Sequence, residues 1–247
     1  MSINFDTNNI IIVAYPPNSG GKFLINCLGL SDGAVFQDRA MASRQLQGKC
    51  SSTDKMKWIR EKLISVRQQG VWDDLQLGCG QLFGYNVNAG GYEQGLLMIY
   101  HHVINELSNS DKLFFLVAHG QPQLTACLSV WKNAKVVLFK NNNIFANYRH
   151  PYSFSIKMSE NSKIDEELLK MEVFYWDADS YLSEEVTLQQ IELLYKKLGL
   201  LDFNKEMVTD YYRLWIDALT VMKQFQKIKP EQIRALNEIR LKEQNTP

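Results

Sequence analysis

The chain has 247 residues, 45% of them hydrophobic and 22% charged, enough apolar material for one large core. Lys plus Arg and Asp plus Glu number 27 each, and a formal net charge of zero argues against a general nucleic-acid binder, which carries a positive excess. The longest apolar runs, IIIVA and LFFLVA, are too short to span a bilayer, and the polar start MSINFDTNN lacks the pattern of a signal peptide. The four cysteines (Cys27, Cys50, Cys79 and Cys127) are widely spaced with no CxxC pair. They read as free thiols in a reducing, cytoplasmic setting. The expectation is one domain over 1–247, with no membrane and no nucleic-acid partner; the oligomeric state is open.

The elements follow in chain order. Residues 10–15 are a continuous apolar run followed by turn signals, the pattern of a strand buried on both faces. A short helix is predicted over 21–29. Residues 31–52 are mixed and polar. Thr53 to Gln69 place Met56, Ile59, Leu63 and Val66 on one helical stripe, with Gly70 past the end. The stretch LGCGQLFGYNVNAGG is a Gly/Asn-rich loop, in which Tyr85 and the following Tyr92 could line an acceptor pocket. Tyr92 to Leu107 read as helix. A second buried strand, KLFFLVAHGQP, stops at His119-Gly120, a third runs from Lys135 to Lys140, and a fourth from Glu172 to Trp176. Helical patterns occupy 142–149, 163–170, 184–198, 204–226 and 230–243.

Short apolar strands alternating with helices predict an α/β fold: a mostly parallel sheet covered on both faces, with a helical C-terminal part. In such sheets ligands bind beyond the carboxyl ends of the strands. Three features fall there: the Pro16-Pro17-Asn18-Ser19-Gly20-Gly21-Lys22 loop, the His119 turn, and the turn of Lys140 with Asn141, Asn142 and Asn143.

A glycine-rich turn feeding a helix offers free N–H groups and the positive end of the helix dipole to an anion. Gly20 and Gly21 allow close approach, Asn18 and Ser19 supply polar groups, and Lys22 adds a point charge. A Walker loop would have Gly where Pro16 stands and Ser or Thr where Phe23 stands; proline cannot take positive φ, and phenylalanine has no hydroxyl for Mg²⁺. The pattern therefore predicts anion binding with no metal. A plain strand–helix turn with a solvated Lys22 is the alternative. His119 at a strand end suits a general base; a histidine bonded to loop backbone would look the same. Lys140 and Arg149 are the cations available for a second phosphate. Asn141 to Asn143 suit a turn or helix cap. His101 and His102 lie in a helix pattern, and His150 precedes Pro151 in a loop. Tyr211, Tyr212 and Trp215 fall at helical spacing and read as core.

Four segments resemble the PAPS-dependent sulfotransferases. AYPPNSGGKFL is similar to that family's Tyr-Pro-Lys-Ser-Gly-Thr-Thr-Trp loop with one residue inserted. FLVAHGQP resembles the strand ending in the family's catalytic histidine. AKVVLFKNNNIFANYRHP is similar to the segment that grips the 3′-phosphate, and FYWDADSYLSEEVTLQQIELLYKKLGL to the strand, acidic turn and helix downstream. In the family's order and spacing the four run from Ala14 to Leu200. The resemblance implies a P-loop-type α/β fold and transfer of a sulfuryl group from 3′-phosphoadenosine-5′-phosphosulfate (PAPS) to a hydroxyl or amine on a small molecule or glycan. It implies Lys22 and the loop amides on the donor, His119 as base and Lys140 on the 3′-phosphate. The chain departs from the family pattern in three places: Lys22 is displaced to the helix start, Lys140 replaces arginine and so loses bidentate geometry, and Asn147 or Tyr148 stands where a serine is expected. A degenerate binding module on the same scaffold and a nucleotide-dependent phosphotransferase are the competing expectations.

Overall fold

The computed structural model describes residues 9–15, 20–36, 41, 44, 45, 47–69, 111–118, 124, 127, 128, 131, 133–140 and 172–226. Strand β1 (Ile10–Ala14) leads to helix α1 (Gly21–Gly29), and helix α2 (Ser52–Gln69) precedes β2 (Phe114–Ala118). Strand β3 (Lys135–Lys140) and strand β4 (Val173–Asp177) follow. A 3-10 turn (Ala178–Leu182) then delivers the chain into α3 (Glu184–Leu198) and α4 (Lys205–Gln226). The sequence patterns at 70–107, 141–171 and 227–247 lie outside the described residues, as does Cys79. The 10–15 run ends as a strand at Ala14, although the Tyr15 N–H still bonds to the Ala118 carbonyl. The fourth strand sits one residue later than its apolar pattern suggests, ending on Asp177.

The four strands pair in parallel in the order β2-β1-β3-β4. The alternation along β1 explains its unbroken apolar run. Ile11 and Val13 face a core with Phe115, Val137, Phe139, Phe174 and Trp176, closed by the four helices. Ile10, Ile12 and Ala14 face a second core with Phe114, Leu116 and Val136, closed by Leu124, Cys127, Leu128 and Trp131. A central parallel strand has no solvent face, so every position of β1 is buried. The chain at 33–35 runs beside the start of β2, with Val35 N–H on the Leu113 carbonyl and Leu113 N–H on that of Gly33.

Local chemistry sets the helix ends. Ser51 and Asp54 form a reciprocal cap that starts α2 at Ser52, one residue ahead of its predicted start at Thr53. Ser183 caps α3, and Gly199 closes it in the left-handed conformation at φ 77°. Asn204 accepts from Met207 N–H at the start of α4. Arg213 on α4 grips Glu184 on α3 through two nitrogens, and Arg60 on α2 meets Asp210 on α4 at 2.6 Å. At the end of α1, Lys55 reaches in from α2 with its side chain buried. Its ammonium donates to the carbonyls of Leu30 and Ser31, where the helix dipole is negative. Among the described residues no helix is long and apolar enough to cross a membrane.

Candidate functional site: the carboxyl edge of β1

The chain leaves β1 toward β2 by way of α1, then returns past β1 to build β3 on its other side. This reversal makes the carboxyl ends of β1 and β3 the topological switch point, where open α/β sheets hold ligands. The register is level across the edge: Ala14 pairs with Ala118 of β2 and with Leu138 of β3, two residues before Lys140. Neighbouring strands lie about 4.8 Å apart. The described strand residues Ala14, Ala118 and Leu138 therefore lie along one edge, within about 10 Å.

Three of the sequence-predicted site residues are described with their surroundings: Gly20, Gly21 and Lys22. Lys140 is described as the last residue of β3. Asn18, Ser19, His119 and Arg149 lie outside the described residues. Gly20 is the N-cap of α1 and adopts φ 79°, the left-handed region that glycine enters without strain. Its carbonyl accepts from Leu24 N–H at 3.3 Å, the first bond of the helix, and from the Tyr181 hydroxyl at 3.0 Å. The amides of Gly21, Lys22 and Phe23 therefore precede the first intrahelical bond. Gly21 is buried, and among the described residues no acceptor takes its N–H.

The two glycines also have a packing reason to be glycine. A Cβ on Gly20 would stand 2.6 Å from Tyr181 Cε2, and one on Gly21 2.2 Å from Tyr15 Cγ. The aromatic rings fill the protein side of the turn. In the sequence the glycines read as room for an anion; in the structure Tyr15 and Tyr181 also approach them closely. Tyr181 carried no local signal. It follows β4 by four residues in the acidic turn, and only the sheet order carries β4 to the flank of β3.

Phe23, at the position of the Walker Ser/Thr, points into the core. It stacks on Trp215 at 4.4 Å and meets Tyr211, Tyr212 and Tyr181 between 4.9 and 6.0 Å. This position offers no oxygen to a metal, and Tyr211, Tyr212 and Trp215 are core, as their spacing suggested. Burial raises the Tyr181 hydroxyl well above its ordinary 10.0, so it remains a donor at neutral pH. Asp177, the late acidic strand end, pairs with Lys140 in the β3–β4 register, one strand removed from β1. A separate groove of about 450 Å³ runs between α2 and α4, lined by residues such as Met56, Arg60, Ile64 and Met207, and shares none of the strand-end residues.

Compared with known proteins, the chain matches no family model, no curated protein and no solved structure.

Proposed function

We propose that the chain is a sulfotransferase-like protein that transfers a sulfuryl group from PAPS to a hydroxyl or amine. The observation that carries this reading is the unit made by β1, its loop and the left-handed Gly20 at the N-terminus of α1. It stands at the switch point of a parallel sheet, between the strands that lead into His119 and Lys140. An anion is the ligand that suits it. The residues fit a phosphosulfate because the Gly21 amide lies ahead of the first helical bond, at the positive end of the helix dipole, where an anion is stabilised. Lys22, the second helical residue, would add positive charge beside the leaving phosphate.

In this reading the acceptor oxygen or nitrogen attacks sulfur as the bond from sulfur to the bridging phosphate oxygen breaks. The acceptor's proton passes to His119, and the displaced phosphate keeps the bonding pair. Lys140, and Arg149 if it reaches, would hold the 3′-phosphate. Donor-product binding tests the reading: adenosine 3′,5′-bisphosphate should give heat in calorimetry and raise the unfolding temperature. No heat and no thermal shift at millimolar concentration removes it.

A second reading, a binding module without catalysis, is favoured by one observation: the register sets an acidic residue, Asp177, opposite Lys140 at the strand end where the 3′-phosphate reading calls for positive charge. It expects Lys22→Ala and His119→Ala to leave the biological activity intact, and dependence on both refutes it.

A further inference from the structure

The geometry points to Tyr181 as a positioning residue for the anion site: its hydroxyl, by holding the Gly20 carbonyl inward, aims the Gly21 amide at the ligand. The inference rests on the reading of that loop as an anion site.

The peptide joining Gly20 to Gly21 is planar and trans, so its C=O and N–H point in opposite directions. The C=O is fixed by two donors, Leu24 N–H from one turn down the helix and Tyr181 O–H from the turn after β4. With the carbonyl held along α1, the N–H must project the other way, off the end of the helix toward the carboxyl edge. A left-handed glycine at a helix start can rotate this peptide at little cost; the tyrosine removes that freedom. Tyr181 is itself immobilised. It is 2% exposed, its ring lies against Phe23, Trp176 and Trp215, and its own carbonyl accepts from the Tyr212 hydroxyl at 2.7 Å. The ring also occupies the space a Cβ on Gly20 would need, so the glycine and the tyrosine require each other.

The molecule contains its own control. Tyr195 makes the same kind of bond to the same helix, from its hydroxyl to the Cys27 carbonyl at 2.6 Å, near the far end of α1. Tyr181→Phe and Tyr195→Phe each delete one buried hydroxyl that bonds α1, so both should lower the urea midpoint. Only Tyr181→Phe should weaken adenosine 3′,5′-bisphosphate binding, by about tenfold, the size of one hydrogen bond. Only it should also reduce the shift of the Gly21 amide signal on titration. If Tyr181→Phe does not fold, Tyr212→Phe decides, with an expected loss of about threefold, corresponding to the lower end for one hydrogen bond. Wild-type binding with unchanged affinity in Tyr181→Phe, or in Tyr212→Phe where that variant must decide, overturns the positioning role and leaves the anion site standing. Equal losses in Tyr181→Phe and Tyr195→Phe overturn it too, because the effect is then general stability. A wild-type protein that binds no bisphosphate overturns the site and the role together.

Discussion

At Gly21 the turn has no room for any other residue. An added Cβ would clash with three atoms of the Tyr15 ring, and Tyr15 cannot swing away because it is 2% exposed. Gly21→Ala should lose about 3 kcal/mol and lower the melting temperature by roughly 6–12 °C; a melting curve like the wild type's would show that the turn can open. Phe23→Thr, which restores a hydroxyl at the Walker position, should lose about 3 kcal/mol or more, because the ring is a hub of the aromatic core. Mg²⁺ should not restore its melting temperature, and a metal-dependent recovery would revive the nucleotide reading. The buried thiols and phenols set the alkaline limit. Burial lifts Cys127 from 9.0 to about 12 and raises Cys27, Tyr181 and Tyr195 well above their ordinary values. A raised folded-state pKa contributes stability that is intact below the unfolded value and lost as pH climbs toward the folded one. Lys55 opposes this, since burial lowers its pKa and so favours the folded state as pH rises toward 10.5. The raised groups outnumber it, so stability, and the urea midpoint with it, should fall as pH rises above 9 through the buried thiols and above 10 through the buried phenols, by on the order of 1 kcal/mol per pH unit for each group. A midpoint flat to pH 10.5 would show that these groups are not shielded as described.

At the scale of elements, the caps decide where helices stop, and several were readable. Gly199 was visible in Leu198-Gly199, and its φ of 77° is the left-handed closure expected of it. The Ser51–Asp54 cap straddles Thr53, where the predicted helix begins, and lies ahead of the apolar stripe that starts at Met56, so apolar period alone does not reveal it. Ser183 holds α3 by accepting from Val186 N–H at 3.4 Å. Ser183→Ala should lose about 1 kcal/mol, a fall of roughly 2–4 °C. Urea unfolding read by far-ultraviolet dichroism checks this, and an unchanged midpoint would assign the cap to solvent. The β4 shift has a plain cause: a strand ends where its ladder ends, and Asp177 still pairs with Lys140 although its side chain breaks the apolar run.

At the scale of the whole molecule, the sheet order does the most for function. It brings to one edge the ends of β1, β2 and β3, the first two about a hundred residues apart in the chain and the last two about twenty. The roles proposed there can be separated. His119→Ala should slow sulfuryl transfer by about 10²–10⁴-fold, the range of a lost general base, while bisphosphate affinity holds. Lys22→Ala should weaken bisphosphate binding and lose its dependence on salt in part. Formation of adenosine 3′,5′-bisphosphate from PAPS, with the sulfuryl group recovered on the acceptor, measures the first in a screen of hydroxyl and amine acceptors, and calorimetry measures the second. Unchanged turnover in His119→Ala sets the imidazole aside.

The sequence by itself determined the four described strands, the bounds of the described helices to within a residue and the α/β class, because these follow from apolar period and local capping, which are properties of neighbours in the chain. It also determined that Phe23 brings no oxygen and that Tyr211, Tyr212 and Trp215 belong to the core. Only the tertiary structure decided that β1 lies between β2 and β3, that Lys140 stands beside Asp177, and that Tyr15 and Tyr181 close on the two glycines. These are contacts between residues far apart in the chain, fixed by which strand pairs with which, and no local pattern of side chains encodes that choice.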